Sequence, residues 1–204
     1  MRKGVFGIVA ALVVVTALAG TSQATEHDAE SFDPNASHVD FWKQAAQETS
    51  YAPYRPARKS ITAAGLEAPE RPPFELAMVM ICPGEWNITA DYPIAGSDES
   101  LSVYQAPSDE CWPDFGASGA PGQPSSFKAS GGSFTLKYMG CASTPVGADE
   151  PAADQCAQAD REYDVYGSWP KRKGRSNPTA MHLSTTGTSV PEIKAFVRSM
   201  RPVR

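Results

Sequence analysis

The sequence predicts an α+β fold: an antiparallel sheet of about five strands with a C-terminal helix packed on one face, stapled by disulfides. Three observations carry that expectation. Short alternating apolar segments outnumber helical ones, and 18 prolines and 16 glycines divide them by frequent turns. Four cysteines, Cys82, Cys111, Cys141 and Cys156, all fall after the first 24 residues. The last segment carries a helix with unmistakable end signals.

Residues 25–73 read as a polar tail, a short helix and a Pro-rich connector, ahead of a domain over 74–204. Val39, Trp42, Ala45 and Ala46 recur at helical spacing over 38–48, and Ser37 stands at the capping position with Asp40 three residues on. Tyr51 to Pro73 is rich in proline, alanine and charge, with room for a helical turn near Ile61. Phe74 to Cys82 is apolar on both alternations, which predicts a central strand covered on both faces. Trp86 to Ala90 returns from the Pro83-Gly84 turn, and Ser100 to Gln105 alternates with Leu101 and Val103 inward. Ala117 to Gly132 reads as a loop, followed by a half-buried strand with Phe134, Leu136 and Tyr138 on one face. Glu162 to Gly167 and Thr179 to Ser184 add two strands joined by a charged loop. The last helix opens on Ser189 with Glu192, a capping box, and has Pro191 in its first turn. Val190, Ile193, Phe196, Val197 and Met200 form its apolar stripe, and Pro202 follows its end.

Residues 1–24 have the layout of a secretory leader: Arg2 and Lys3, an apolar run from Val5 to Leu18, and small residues at Ser22 and Ala24. The run is short for a membrane span, which needs about 20 residues, and no transmembrane anchor is expected downstream. Loss of the leader leaves 16 basic against 23 acidic residues, a net charge of −7. Such a balance gives no general attraction to nucleic acid or anionic lipid. An even cysteine count in an exported chain reads as two disulfides. Cys82–Cys111 with Cys141–Cys156 is favoured because each closes a local loop. Cys82–Cys141 with Cys111–Cys156 is the rival, since Cys82 and Cys141 both end apolar strands.

The chemistry offered is sparse. There are three histidines, His27, His38 and His182, and no GxSxG elbow, phosphate loop, HExxH or EF-hand pattern. His182 is out of phase with Met181 and Leu183, which places it on the solvent side of its strand; it is the base that a secreted hydrolase would use. Asp149, Glu150, Asp154 and Asp160 fit no calcium loop and read as a solvated acidic face. Cleavage after Ala24 would leave Thr25-Glu26-His27 at the terminus, whose amine, two amides and imidazole can hold Cu(II) in a square plane. Trp169-Pro170-Lys171-Arg172-Lys173-Gly174-Arg175 is a basic run in an acidic protein, either a hairpin tip in solvent or a contact surface for an anionic polymer. Trp86, Trp112 and Trp169 either line a ligand surface or pack inside. Asn35-Ala-Ser37 and Asn87-Ile-Thr89 match the glycosylation pattern.

Tyr163 to Trp169, Ala180-Met-His-Leu-Ser184, Thr185-Thr-Gly-Thr-Ser189 and the helix Val190 to Met200 before Arg201-Pro202-Val203 resemble a known ending. It is the closing strand, strand and helix of small extracytoplasmic domains in bacterial anti-sigma factors and surface lipoproteins. The resemblance implies a sheet closed by its last helix and carries no catalytic site. The chain is therefore expected to be a secreted bacterial module without catalysis. Lys171, Arg172, Lys173 and Arg175 beside Trp169 would contact an anionic envelope polymer or another exported protein. A hydrolase using His182 and a Cu(II)-binding protein using Thr25, Glu26 and His27 are its rivals.

Overall fold

Two antiparallel meanders meet edge to edge to make the main sheet. The computed structural model describes residues 38–67, 74–78, 82–111, 122–145 and 148–203. The first meander is β2 (Phe74–Met78), β3 (Trp86–Pro93) and β4 (Ser100–Ala106). The second is β5 (Ser125–Ala129), β6 (Gly132–Cys141), β7 (Arg161–Trp169) and β8 (Thr179–Thr186). Pairing of β4 with β8 joins them into seven strands in the order β2-β3-β4-β8-β7-β6-β5, every neighbouring pair antiparallel. The α+β class stands, with seven strands in this sheet among the described residues where about five were expected.

Strand order is where the sequence misleads. Phe74–Met78 is an edge strand with β3 as its partner, not the central strand that its apolar run suggests. The centre is β8, whose Met181 and Leu183 are wholly buried. An apolar run reports what covers a segment; it does not say which strands the chain topology sets beside it. The loop expected over 117–132 contains β5. Ser125-Ser126-Phe127-Lys128-Ala129 alternates polar with apolar, and Phe127 and Ala129 are buried. A two-residue turn at Ser130 (φ 49°) and Gly131 (φ 86°) reverses the chain into β6, the positive-φ pair that a tight hairpin requires.

One face of the sheet is the core. Ile88, Ala90, Tyr92, Leu101, Val103, Phe134, Leu136, Val165 and Leu183 point into it from five strands. Gly167 is needed here: a Cβ would stand 2.2 Å from the Ser133 carbonyl oxygen and 2.7 Å from the Phe134 ring. Three α-helices lie among the described residues: α1 (His38–Glu48), α2 (Arg58–Ala63) and α3 (Val190–Ser199). Helix α1 keeps the expected bounds and buries Phe41, Trp42 and Ala45, while Ser37 lies outside the described residues. Helix α3 forms its capping box, with the Ser189 N–H donating to Glu192 Oε2 at 2.9 Å. It buries Ile193, Phe196 and Val197, and Phe196 meets Tyr92 edge to face at 5.2 Å.

The stretch expected as a connector is structural up to Glu67. Tyr51, Tyr54, Ile61 and Leu66 are buried, and β1 (Tyr54–Arg55) pairs with β9 (Arg201–Pro202) in a second, two-stranded sheet. Gln105, wholly buried in β4, docks that segment: its Oε1 accepts the Tyr54 N–H and its Nε2 donates to the Tyr54 carbonyl, both at 2.7 Å. The tyrosine hydroxyl of Tyr51 donates to the Gln105 carbonyl at 2.8 Å. A buried glutamine thus stands in for a strand's backbone.

Both disulfides adopt the favoured local pairing, Cys82–Cys111 across 29 residues and Cys141–Cys156 across 15. Loop-closure entropy assigns them about 3.6 and about 3.0 kcal/mol. Among the described residues no helix is long and apolar enough to cross a membrane.

Candidate functional site

The basic loop connects β7 to β8. Pro170 and Lys171 leave the strand, Gly174 (φ 81°) turns the chain, and the Arg175 N–H donates to the Arg172 carbonyl at 3.1 Å. Lys171, Arg172 and Lys173 are exposed. Their backbone is held from behind. Arg175 is half-buried, and its Nη1 donates to the Thr49 carbonyl at the end of α1, 3.0 Å away. The N–H groups of Ser176 and Asn177 both donate to the Ser50 carbonyl, and the Asn177 amide donates to Ser50 Oγ at 2.8 Å and Glu85 Oε1 at 3.4 Å. The Ser50 hydroxyl in turn donates to Glu85. Three cations are therefore presented on a loop whose far limb is pinned to α1 and to the start of β3.

Two residues assigned to this surface by sequence do other work. Trp169 is wholly buried, stacked on Tyr54 at 4.0 Å with planes 7° apart, and its Nε1 donates to the Ala129 carbonyl at 3.0 Å. A ring with no exposed face contacts no ligand, so it belongs to the core. Arg175 spends its guanidinium on Thr49 and acts as a tether. Lys171, Arg172 and Lys173 remain as the exposed cations.

His182 lies on the sheet face opposite the helices, the side its phase predicts, but it is 7% exposed and not a surface histidine. It sits mid-strand in β8 between Tyr104 of β4 and Tyr166 of β7, its register partners. The Tyr104 and His182 rings are 6.0 Å apart with planes 28° apart. His182 Nε2 lies 3.3 Å from Asp164 Oδ2. This opposite face is otherwise polar: Ser102 donates to Asp91 across β3 and β4, and Ser184 lies opposite Asp164. Burial, and then the Asp91 charge, raise the Tyr104 phenol above its ordinary value. Burial also raises the Glu162 carboxyl, aided by Glu150, Asp164 and Glu99.

A cleft of about 190 Å³ opens at one end of this face, between the tail of β7, the start of β8 and the turn after β4. Ser108 and Asp109 line it from the turn after β4, Tyr166, Gly167 and Ser168 from β7, and Pro178 and Ala180 from the start of β8. The Ser108–Asp109 wall is a single turn of 3₁₀ helix ending at Cys111, whose N–H donates to the Ser108 carbonyl at 3.2 Å. The Cys82–Cys111 bridge, packed on Ala106, fastens that turn to the sheet. Sequence inspection missed this site because its walls come from residues about 58 positions apart, brought together by β4–β8 pairing.

Among the described residues, no three His, Cys, Asp or Glu side chains converge to hold a metal ion. Glu150 is exposed, and its Oε2 accepts the Cys141 N–H at 3.1 Å. Trp86 and Asn87 are half-buried in β3. The leader at 1–24, the Cu(II) set Thr25, Glu26 and His27, Asn35 and Trp112 lie outside the described residues. No protein-family model, curated protein or solved structure matches this chain.

Proposed function

We propose that the chain is exported, loses residues 1–24 and works as a non-catalytic binding module for an anionic polymer of the bacterial envelope. Lys171, Arg172 and Lys173 are the contact. One observation carries this reading: three adjacent cations stand exposed on a loop tied down by Arg175 and by the Ser50–Asn177–Glu85 cluster, in a chain of otherwise acidic balance. Holding the loop in place lowers the entropy lost on binding. Two disulfides suit an oxidising compartment. The acidic net balance of the whole chain weighs against broad contact with a polyanion.

The test is retention of the oxidised protein on immobilised teichoic acid or a comparable wall polyanion. Retention should fall as salt rises, because the screening length shrinks from about 30 Å at 0.01 M to about 8 Å at 0.15 M. Reversing Lys171, Arg172 and Lys173 to Glu should abolish it. Undiminished retention of that variant removes the loop from the reading.

A second reading, a hydrolase with His182 as base, is favoured by the 3.3 Å approach of Asp164 to Nε2, since a carboxylate beside a histidine is how such a base is oriented. A panel of ester, peptide and glycoside substrates tests it. An activity lost in His182→Ala with an unchanged circular dichroism spectrum would support it, and no activity in the parent protein would end it.

A further inference from the structure

We propose that the cleft beside Tyr166 is a carbohydrate site that takes one neutral pyranose ring. Tyr166 is the exposed large hydrophobic residue among those described, 40% exposed, on a mostly polar face. A half-bare ring at the wall of a cavity is what stacks on the C–H face of a sugar. The volume, about 190 Å³, is below the roughly 300 Å³ at which drug-sized pockets begin, and suits a single small ring.

The remaining walls set the chemistry. Ser168 supplies a hydroxyl that can donate and accept, and Ser108, its hydroxyl 3.3 Å from Cys111 Sγ, keeps capacity for a second bond. The Asp109 carboxylate accepts from sugar hydroxyls in a charge-assisted bond. Pro178 and Ala180 give the apolar remainder. Asp109, with Glu110 beside it and Asp164 on the same face, disfavours an anionic ligand at this spot. A sugar needs donors and acceptors together, whereas an organic cation needs acceptors alone; the paired serine hydroxyls therefore favour the sugar. The wall that carries Ser108 and Asp109 is positioned by the Cys82–Cys111 bridge. Lys171, Arg172 and Lys173, on the loop between Ser168 and Pro178, are not among the residues that line the cleft.

Titration of the oxidised protein with glucose and with N-acetylglucosamine, followed by nuclear magnetic resonance, tests the proposal. At least one of the two should produce saturable shifts at Tyr166 and Ser168, with transfer of saturation from the protein to the sugar. Tyr166→Ala should weaken binding about ten-fold, and Asp109→Asn should weaken it less, with melting temperatures unchanged. The triple Glu variant at 171–173 should bind the sugar as the parent does, so failure of the polyanion reading leaves this one standing. Absence of saturable shifts with both sugars overturns the proposal. So does a response to tetramethylammonium alone, which would make the cleft an organic-cation site.

Discussion

The two faces of the main sheet are built from the same strands and have opposite characters. The helix-covered face is tightly filled: Trp169 lies between Tyr54 and Phe134, and even its polar member, Gln105, has its side-chain oxygen and nitrogen bound to the Tyr54 backbone. The other face carries cross-strand polar pairs, a histidine held between two tyrosines, and an open cleft. Alternation along each strand thus separates a filled, mostly apolar side from a polar one.

The largest expected effect breaks this contrast or confirms it. Trp169→Ala removes a ring from a filled site and should cost about 3–5 kcal/mol, whereas Tyr166→Ala, three residues earlier on the opposite face, should stay within about 0.5 kcal/mol. Comparable losses in urea unfolding would mean that the cleft face is structural too. Next comes Gln105→Leu, isosteric enough to fit yet leaving the N–H and carbonyl of Tyr54 bare; a loss of about 2–3 kcal/mol is expected. A neutral outcome would show that the 51–67 segment docks without need of the Gln105 side-chain bonds.

The smallest effect is a matter of pH. Glu162 keeps its proton to a higher pH when folded than when unfolded, because of burial first and its acidic neighbours second. Its contribution is therefore present at low pH and lost as pH rises through the raised folded value. Glu162→Gln should match the parent at pH 3 and exceed it at pH 7 by roughly 0.3 kcal/mol, since the group is partly screened by solvent. At the alkaline end Tyr51 and Tyr92, both raised by burial, act in the same direction: stability should fall once unfolded tyrosines begin to ionise near pH 10. A flat stability profile from pH 8 to 11 would contradict that assignment.

Much of this architecture was legible from residues alone where the cause is local. Helices α1 and α3 follow from spacing and from the Ser189–Glu192 cap, and the disulfide pairing follows from short loops. What depends on distant partners was not legible. Ser125–Ala129 looks like a loop until Phe134 is seen opposite Phe127. Trp169 looks like a loop anchor until Tyr54, 115 positions earlier, is stacked on it. Of the basic run, exposure could be read at Lys171, Arg172 and Lys173, but not the tether of Arg175 to Thr49. The cleft was invisible for the same reason, since nothing near Tyr166 in the chain hints at Ser108.

The middle strand of the sheet is also the last of its seven to leave any machine that delivers the chain N-terminus first. Until Thr179–Thr186 arrives, the two meanders share no ladder, and β4 and β7 each offer a bare edge to any passing strand. Emergence of that one segment is what turns two incomplete hairpin assemblies into a molecule, so the span before it is when the newborn protein most needs an escort.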